Sequence, residues 1–301
     1  MKYIYFFLAV LWLPSWGQSP QKQYSSIESH GVLIHYQTFG QGDPLLIING
    51  GPGMSSEGFI PLAQALASGR QTIVFDQRGT GNSVISDPNN QNVTMDLMIA
   101  DMETLRKHLN IDSWSILGHS FGGMLAAYYT SKYPQHVSSL VFSSSGGPDL
   151  DLFNYISITG RLTQIQRDSL QYWDRQIAAG DTSYHARFRR GMQLAPAYLF
   201  DKKFVPTIAD RLTQGNLQIN TLVFQDLRRI EFDCKPQLKA FQGQTLIIQG
   251  QDDIIGARTA ERTKDVLPQA QIVLLEQCGH YGWLDRKDAY FEAINGFLNQ
   301  I

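Results

Sequence analysis

Short, uninterrupted apolar runs alternate along the chain with longer stretches whose apolar residues recur at helical spacing. Beyond Gly31, residues 32–36 place Val32, Ile34 and Tyr36 at alternate positions with His35 between the last two, close to the pattern of a half-buried strand. Residues 45–48, 73–75, 140–142 and 246–248 are apolar throughout and 114–117 is broken only by Ser115, as strands of a parallel sheet covered on both faces are. The spacing predicts helices over 59–67, 95–109 and 124–133 between them. This alternation is the signature of an α/β domain with a mostly parallel central sheet. It breaks between Pro148 and Lys235, where buried-strand runs are scarce, Arg, Asp and Gln are frequent, aromatics such as Phe153, Tyr155, Tyr172, Trp173 and Phe188 occur, and the apolar spacing is closer to helical. It resumes with a strand at 246–248, a helix at 259–266, a strand at 272–275 and a helix at 289–298. The expected organisation is a core built from residues 18–147 and 236–301, interrupted by a helical cap over 148–235. Such an insertion would lie over the carboxyl edge of the sheet, where α/β proteins bind ligands.

The first residues follow a different logic. Lys2, the apolar run 4–13, Pro14 and then Ser15-Trp16-Gly17 have the order of a signal peptide, with cleavage expected before Gln18. The run is too short to span a bilayer, which takes about 20 apolar residues. A secreted or periplasmic protein without stable membrane insertion after cleavage is expected. Charge then narrows the partners: 25 Lys and Arg stand against 27 Asp and Glu, with no basic run to attract a phosphate backbone, so nucleic acid is not an expected partner. The 301-residue chain can bury a full core, and its two cysteines, Cys234 and Cys278, read as separate small apolar fillers rather than a disulfide framework.

Candidate chemistry gathers at the ends of the buried runs. Gly118-His119-Ser120-Phe121-Gly122 fits G-x-S-x-G and follows the run 114–117 at once, with a helix expected to begin near Gly123. A sharp strand-to-helix turn strains the backbone at the serine, lifts its hydroxyl above the sheet and aims a helix N-terminus at it. A serine nucleophile needs a base, and the base needs an orienting acid. The turn resembles that of the α/β-hydrolases, and the resemblance implies partners that follow in the order acid, then histidine. Of the downstream histidines, His136 lies at the opposite edge and His185 inside the cap, so His280, just past the run 272–275, is the candidate base. The acid should follow the run 246–248, where Asp252 and Asp253 are adjacent and spacing alone does not choose between them. Asn49-Gly50-Gly51-Pro52-Gly53 follows the run 45–48; Pro52 has no N–H, so Gly51 is the candidate oxyanion donor, with Phe121 as the second. Asp76-Gln77-Arg78-Gly79 is expected to be a structural loop held by an Asp76–Arg78 pair. There is no H-E-x-x-H, no paired-cysteine motif and no G-x-G-x-x-G opening a βαβ unit, so neither metal nor cofactor is expected.

Together, Gly50-Gly51-Pro52-Gly53, Asp76-Gln77-Arg78-Gly79 and Gly118-His119-Ser120-Phe121-Gly122-Gly123 resemble the α/β-hydrolase superfamily and, within it, the proline iminopeptidase family of serine peptidases. The resemblance covers about residues 31–147 and 245 onward and is faint across the cap. It implies a G-x-x-D acid, here Gly250-Gln251-Asp252-Asp253, which picks Asp253. It also implies release of an N-terminal residue, often proline, from short peptides whose free amine is held by acidic side chains. The chain departs from that pattern: Ile254 stands where some members carry Glu, Asn49 where many carry His, and the cap has a single Glu, Glu231, among several Asp. The expected activity is a serine hydrolase of this type acting through an acyl-enzyme on a short-peptide or small-molecule substrate. The alternative with the same triad is an esterase or acyltransferase on small acyl esters, and a non-catalytic binding protein that keeps the fold is the contrasting class.

Overall fold

The computed structural model describes residues 24–300; the expected signal peptide over 1–17 lies outside them. Eight strands form one sheet: β1 (Ser25–Ser29), β2 (Val32–Phe39), β3 (Asp43–Ile48), β4 (Arg70–Phe75), β5 (Trp114–His119), β6 (Val137–Ser143), β7 (Gln244–Gly250) and β8 (Gln271–Leu275). Their spatial order is β1-β2-β4-β3-β5-β6-β7-β8. The pairs β1–β2 and β2–β4 are antiparallel, and every other pair is parallel. The helices in chain order are α1 (Ile60–Leu66), α2 (Met95–His108), α3 (Phe121–Lys132), α4 (Gln164–Ala178), α5 (Tyr184–Leu194), α6 (Val205–Leu212), α7 (Leu217–Arg229), α8 (Lys235–Leu238), α9 (Ala257–Val266), α10 (Gly282–Asp285) and α11 (Lys287–Leu298).

The continuous apolar runs arise because successive side chains of a strand feed two different cores. In β3, Leu46 and Ile48 pack toward α2, α3 and α9, while Leu45 and Ile47 pack toward α1 and α11. Ile116 and Leu117 of β5, and Ile247 and Ile248 of β7, divide in the same way. Both faces being covered, the middle of each of these strands leaves little room for a polar side chain to reach water, and exposed polar residues such as Asp43 and Gln244 stand only at strand starts. The edge strand β1, SSIES, has no such burden; it is mostly polar and gives no apolar run to read.

Helices α4 to α7 lie between β6 and β7, with α4 packed on α5 and α5 on α6. Part of this segment makes a small core of its own, in which Leu162, Leu170, Leu194 and Ala197 meet Ile254 and Ile255 from the loop after β7. Other cap residues join the main cores: Ile219, Val223 and Leu227 on one side of the sheet, Val205, Ile208 and Ala209 on the other.

The expected Asp76–Arg78 pair is not formed. Asp76 accepts from the Ser56 backbone N–H and hydroxyl at 2.8 and 2.9 Å and from the Asn82 N–H at 2.9 Å, closing two loops. Arg78 turns instead to Asp101 on α2, which it grips at 2.7 and 2.6 Å through two nitrogens, and it donates to the Asn92 carbonyl at 2.8 Å. Neighbouring residues on one turn point apart, so the counter-charge comes from a helix that only tertiary packing brings near. Both side chains are fully buried, 0% and 1% exposed. Removing one partner of such a pair leaves a buried charge uncompensated, so Asp101→Asn is expected to lower stability by about 3–5 kcal/mol. Equilibrium urea unfolding measures this; a loss below about 1 kcal/mol would place the pair in the class of exposed bridges.

Candidate active site

The site is assembled from the ends of parallel strands. Ser120 stands between β5 and α3 at φ 56° and ψ −121°, a backbone conformation a serine rarely adopts. Its N–H donates to the Ser143 carbonyl at 3.0 Å, and its own carbonyl accepts from Gly123 and Gly146 at 3.0 Å each. The helix begins at Phe121, two residues before the position read from the sequence, because the turn is tighter than an ordinary loop. The flanking glycines are steric requirements: a Cβ on Gly118 would strike the Gly122 carbonyl, and one on Gly122 would strike that of Ile48 in β3.

His280 lies in the loop after β8 and Asp253 in the loop after β7. Both are buried, at 3% exposure each, and His280 Nδ1 lies 2.7 Å from Asp253 Oδ1. The carboxylate accepts two further bonds: Oδ1 accepts the Ile255 N–H at 3.0 Å, and Oδ2 accepts Gln249 Nε2 at 2.7 Å. Asp252 takes no part in this network; Arg161 donates to the carbonyls of both Asp252 and Asp253, holding the turn from outside. The cap contributes directly, since the His280 N–H donates to the Tyr198 carbonyl at 2.7 Å. Among the described residues the Ser120 hydroxyl makes no hydrogen bond to His280; such contacts commonly tighten only once substrate is held.

Gly51 follows β3 at φ 72°, which suits glycine. Among the described residues neither its N–H nor that of Phe121 donates to a protein acceptor. The peptide between Gly50 and Gly51 is held from behind: the Gly50 carbonyl accepts from Asn49 Nδ2 at 3.2 Å and from Arg211 Nη2 at 3.1 Å. A trans peptide directs its C=O and N–H oppositely, so these two donors also orient the Gly51 N–H. Asn49 thus has a structural task of its own, and it donates to the Met54 carbonyl at 3.0 Å as well. Arg211 comes from α6, and the cap further grips this loop through Asn216 N–H to the Gly53 carbonyl at 2.9 Å and Asn220 Nδ2 to the Pro52 carbonyl at 3.0 Å.

Ser120, Phe121, Gly51 and His280 all open onto one cavity of about 720 Å³, roofed by cap residues that include Leu152, Ile156, Leu194 and Phe224. That volume is within the range of small-molecule sites. Its lining is largely apolar, and Ile254 contributes to it while sealing the small cap core. Asp174 is the acidic side chain on the cavity wall, and Arg190 Nε already holds it at 2.6 Å. Arg211, Gln249 and Asp174 were not singled out from the sequence. Arg211 carried one usable signal: it falls three residues after Ile208, on the buried stripe of α6, where a charged residue is out of place. Both cysteines are free and buried, with burial pushing each thiol up to about 12.

His119, beneath Ser120, is 1% exposed and packed among Phe59, His280, Tyr281 and Trp283. Burial above all, then the neighbouring His280 and Arg211, lowers its pKa well below the ordinary value. A depressed histidine makes the unfolded chain the better proton binder, so stability is complete above the unfolded pKa of about 6.5 and falls as pH drops below it. His119→Phe should remove one proton's share of that loss, about 1.4 kcal/mol per pH unit below pH 6.5. Urea unfolding of both proteins at about pH 7 and about pH 5 checks this, and parallel pH dependences would show that His119 protonates freely in the fold.

A sequence profile of the α/β-hydrolase fold matches residues 43–287. The proline iminopeptidase of Heyndrickxia coagulans is 28% identical over 91% of this chain and 98% of its own length. That of Lactobacillus delbrueckii subsp. bulgaricus is 30% identical over 85% and 89%. Among solved structures, the meta-cleavage product hydrolase from Pseudomonas fluorescens IP01 superposes with a TM-score of 0.72 at 21% identity, over 92% of this chain and 97% of that one. An esterase from Exiguobacterium antarcticum gives 0.71 at 18% identity, over 92% and 100%. At these identities the structural likeness concerns the fold alone.

Proposed function

Because this chain belongs to the α/β-hydrolase family, we propose that it is a serine hydrolase working through an acyl-enzyme, with Ser120, His280 and Asp253 as its triad. The observation that carries this reading is the buried 2.7 Å contact between His280 and Asp253 on a cavity shared with the strained Ser120. His280 Nε2 takes the proton as Ser120 Oγ adds to the substrate carbonyl, and returns it to the leaving group as the tetrahedral intermediate collapses. Water then enters on the same base and releases the acyl part. Asp253, accepting at Nδ1, fixes the tautomer that leaves Nε2 free and stabilises the imidazolium. The N–H groups of Gly51 and Phe121 receive the oxyanion, each worth about 3–4 kcal/mol in transition-state stabilisation. They suit this role because each is preset by other bonds, so no reorganisation is needed when charge develops.

The relatives support a proline iminopeptidase type of specificity, the release of an N-terminal residue from a short peptide. A second reading, an esterase on small acyl esters, is favoured by the cavity's charges. A buried ammonium needs a carboxylate, and Asp174 is held by Arg190.

Ser120→Ala and His280→Ala are each expected to lower kcat by about a million-fold, with the double variant no worse than either single one. Asp253→Asn should cost about ten-thousand-fold, and Asp252→Asn only a few-fold. Steady-state kinetics and fluorophosphonate labelling of Ser120, with melting curves to verify folding, provide the check; the reverse ranking of the two aspartates would mean that the turn after β7 presents the other residue.

Specificity is decided by comparing kcat/KM for prolyl-p-nitroanilide, its N-acetylated form and p-nitrophenyl acetate. The aminopeptidase reading expects the free amine to be favoured by at least about a hundred-fold, the scale of one desolvated charge pair. Equal rates with and without the acetyl group, or cleavage of the ester alone, would leave the esterase.

A further inference from the structure

The charges on the cavity wall do not balance. Arg187, Arg190 and Arg211 face Asp174 alone, and Arg190 engages one oxygen of that carboxylate at 2.6 Å. Arg187 is exposed, and water can solvate it. Arg211 is different. It is 5% exposed, its guanidinium lies 4.8 Å from the Phe59 ring centroid, and among the described residues it forms no ion pair. Its partners are all neutral: the carbonyls of Gly50 at 3.1 Å and Ser55 at a long 3.4 Å and the side chain of Tyr281, while its buried Nε has no partner.

A buried guanidinium held only by neutral partners, with Nε unpaired, is an unfinished site. Burying a charge without a counter-charge is costly, and the planar fork of arginine matches a carboxylate. We propose that the cavity takes substrates bearing a carboxylate and that Arg211 binds it while the scissile carbonyl lies at Ser120. The inference rests on the hydrolase reading and holds for either specificity: the anion is the free C-terminus of a dipeptide or the acid end of a half-ester. It also gives the cap a part in selection, because the same guanidinium that meets the substrate braces the Gly50 carbonyl behind the oxyanion loop.

The test pairs each anionic substrate with a neutral counterpart: prolyl-glycine with prolyl-glycinamide, and mono-p-nitrophenyl glutarate with p-nitrophenyl hexanoate. In whichever pair the wild-type enzyme turns over, the carboxylate member should be favoured at least about tenfold in kcat/KM, the scale of a modest charge-assisted bond. Arg211→Met should erase that preference, and Arg211→Lys should retain part of it, with melting curves to show that both fold. A wild-type enzyme indifferent to the carboxylate overturns the proposal. So does an Arg211→Met variant that slows both members equally, since that is the result of a guanidinium that only braces the loop. If fluorophosphonate fails to label Ser120 and neither pair is cleaved, the hydrolase reading has failed separately. Calorimetric titration with glutarate against glutaramide then decides the anion site alone: binding of glutarate that is lost in Arg211→Met supports it, and no binding of glutarate overturns it.

Discussion

Ser120 occupies a backbone conformation that costs about 1–3 kcal/mol, and it is held there because the packing around it admits no alternative. Parallel pairing sets Gly118 of β5 level with Ile48 of β3 on one side and Phe142 of β6 on the other. Helix α3 must therefore start so close to β3 that only glycines fit at the contact. The same closeness puts the loop after β3 beside the serine: a Cβ on Gly50 would lie 2.5 Å from that of Ser120. A strained turn and a neighbouring glycine loop are thus one construction. The strain is met by the two buried cores on either side of the sheet, and the hydroxyl is delivered to the one edge where other strand ends can supply partners.

The cap completes this edge as well as covering it. It donates to Gly50 through Arg211 and to Pro52 through Asn220, and it accepts the His280 N–H on Tyr198. With Arg161 on the carbonyls of Asp252 and Asp253, the loops after β3, β7 and β8 are all tied to a segment inserted between β6 and β7. A movement of the cap would shift the donor loop and the histidine loop together. Burial fixes this edge as well: desolvation favours the neutral form of His119 next to the serine, and Asp253 has its oxygens directed by Ile255, Gln249 and His280.

The order of elements was legible because each buried strand writes an apolar run and each helix a periodic one. Predicted boundaries fell within a few residues: the helix expected over 95–109 is α2 (Met95–His108), and that over 289–298 is α11 (Lys287–Leu298). β1 left no trace, since an edge strand exposed to water needs no apolar face. Ser120, His280 and the glycine loop could be singled out because strand ends, rather than side-chain contacts, choose them. Asp253 was separated from Asp252 only by resemblance, and the geometry joins Asp253 to His280, because in so tight a turn adjacent side chains diverge.

By itself the sequence determined what local chemistry dictates: a two-sided parallel sheet, an interruption by helices, a serine on a glycine-flanked turn, and the families of residues that could serve it. Tertiary structure alone decided the long-range partners. Arg78 meets Asp101 rather than Asp76, Asp174 is engaged by Arg190 from another cap helix, and Arg211 reaches across 161 residues to the Gly50 carbonyl. Hydrophobic periodicity is a property of neighbouring residues and survives in one dimension. The pairing of charges depends on which helices pack together, and a buried charge takes whichever partner that packing provides.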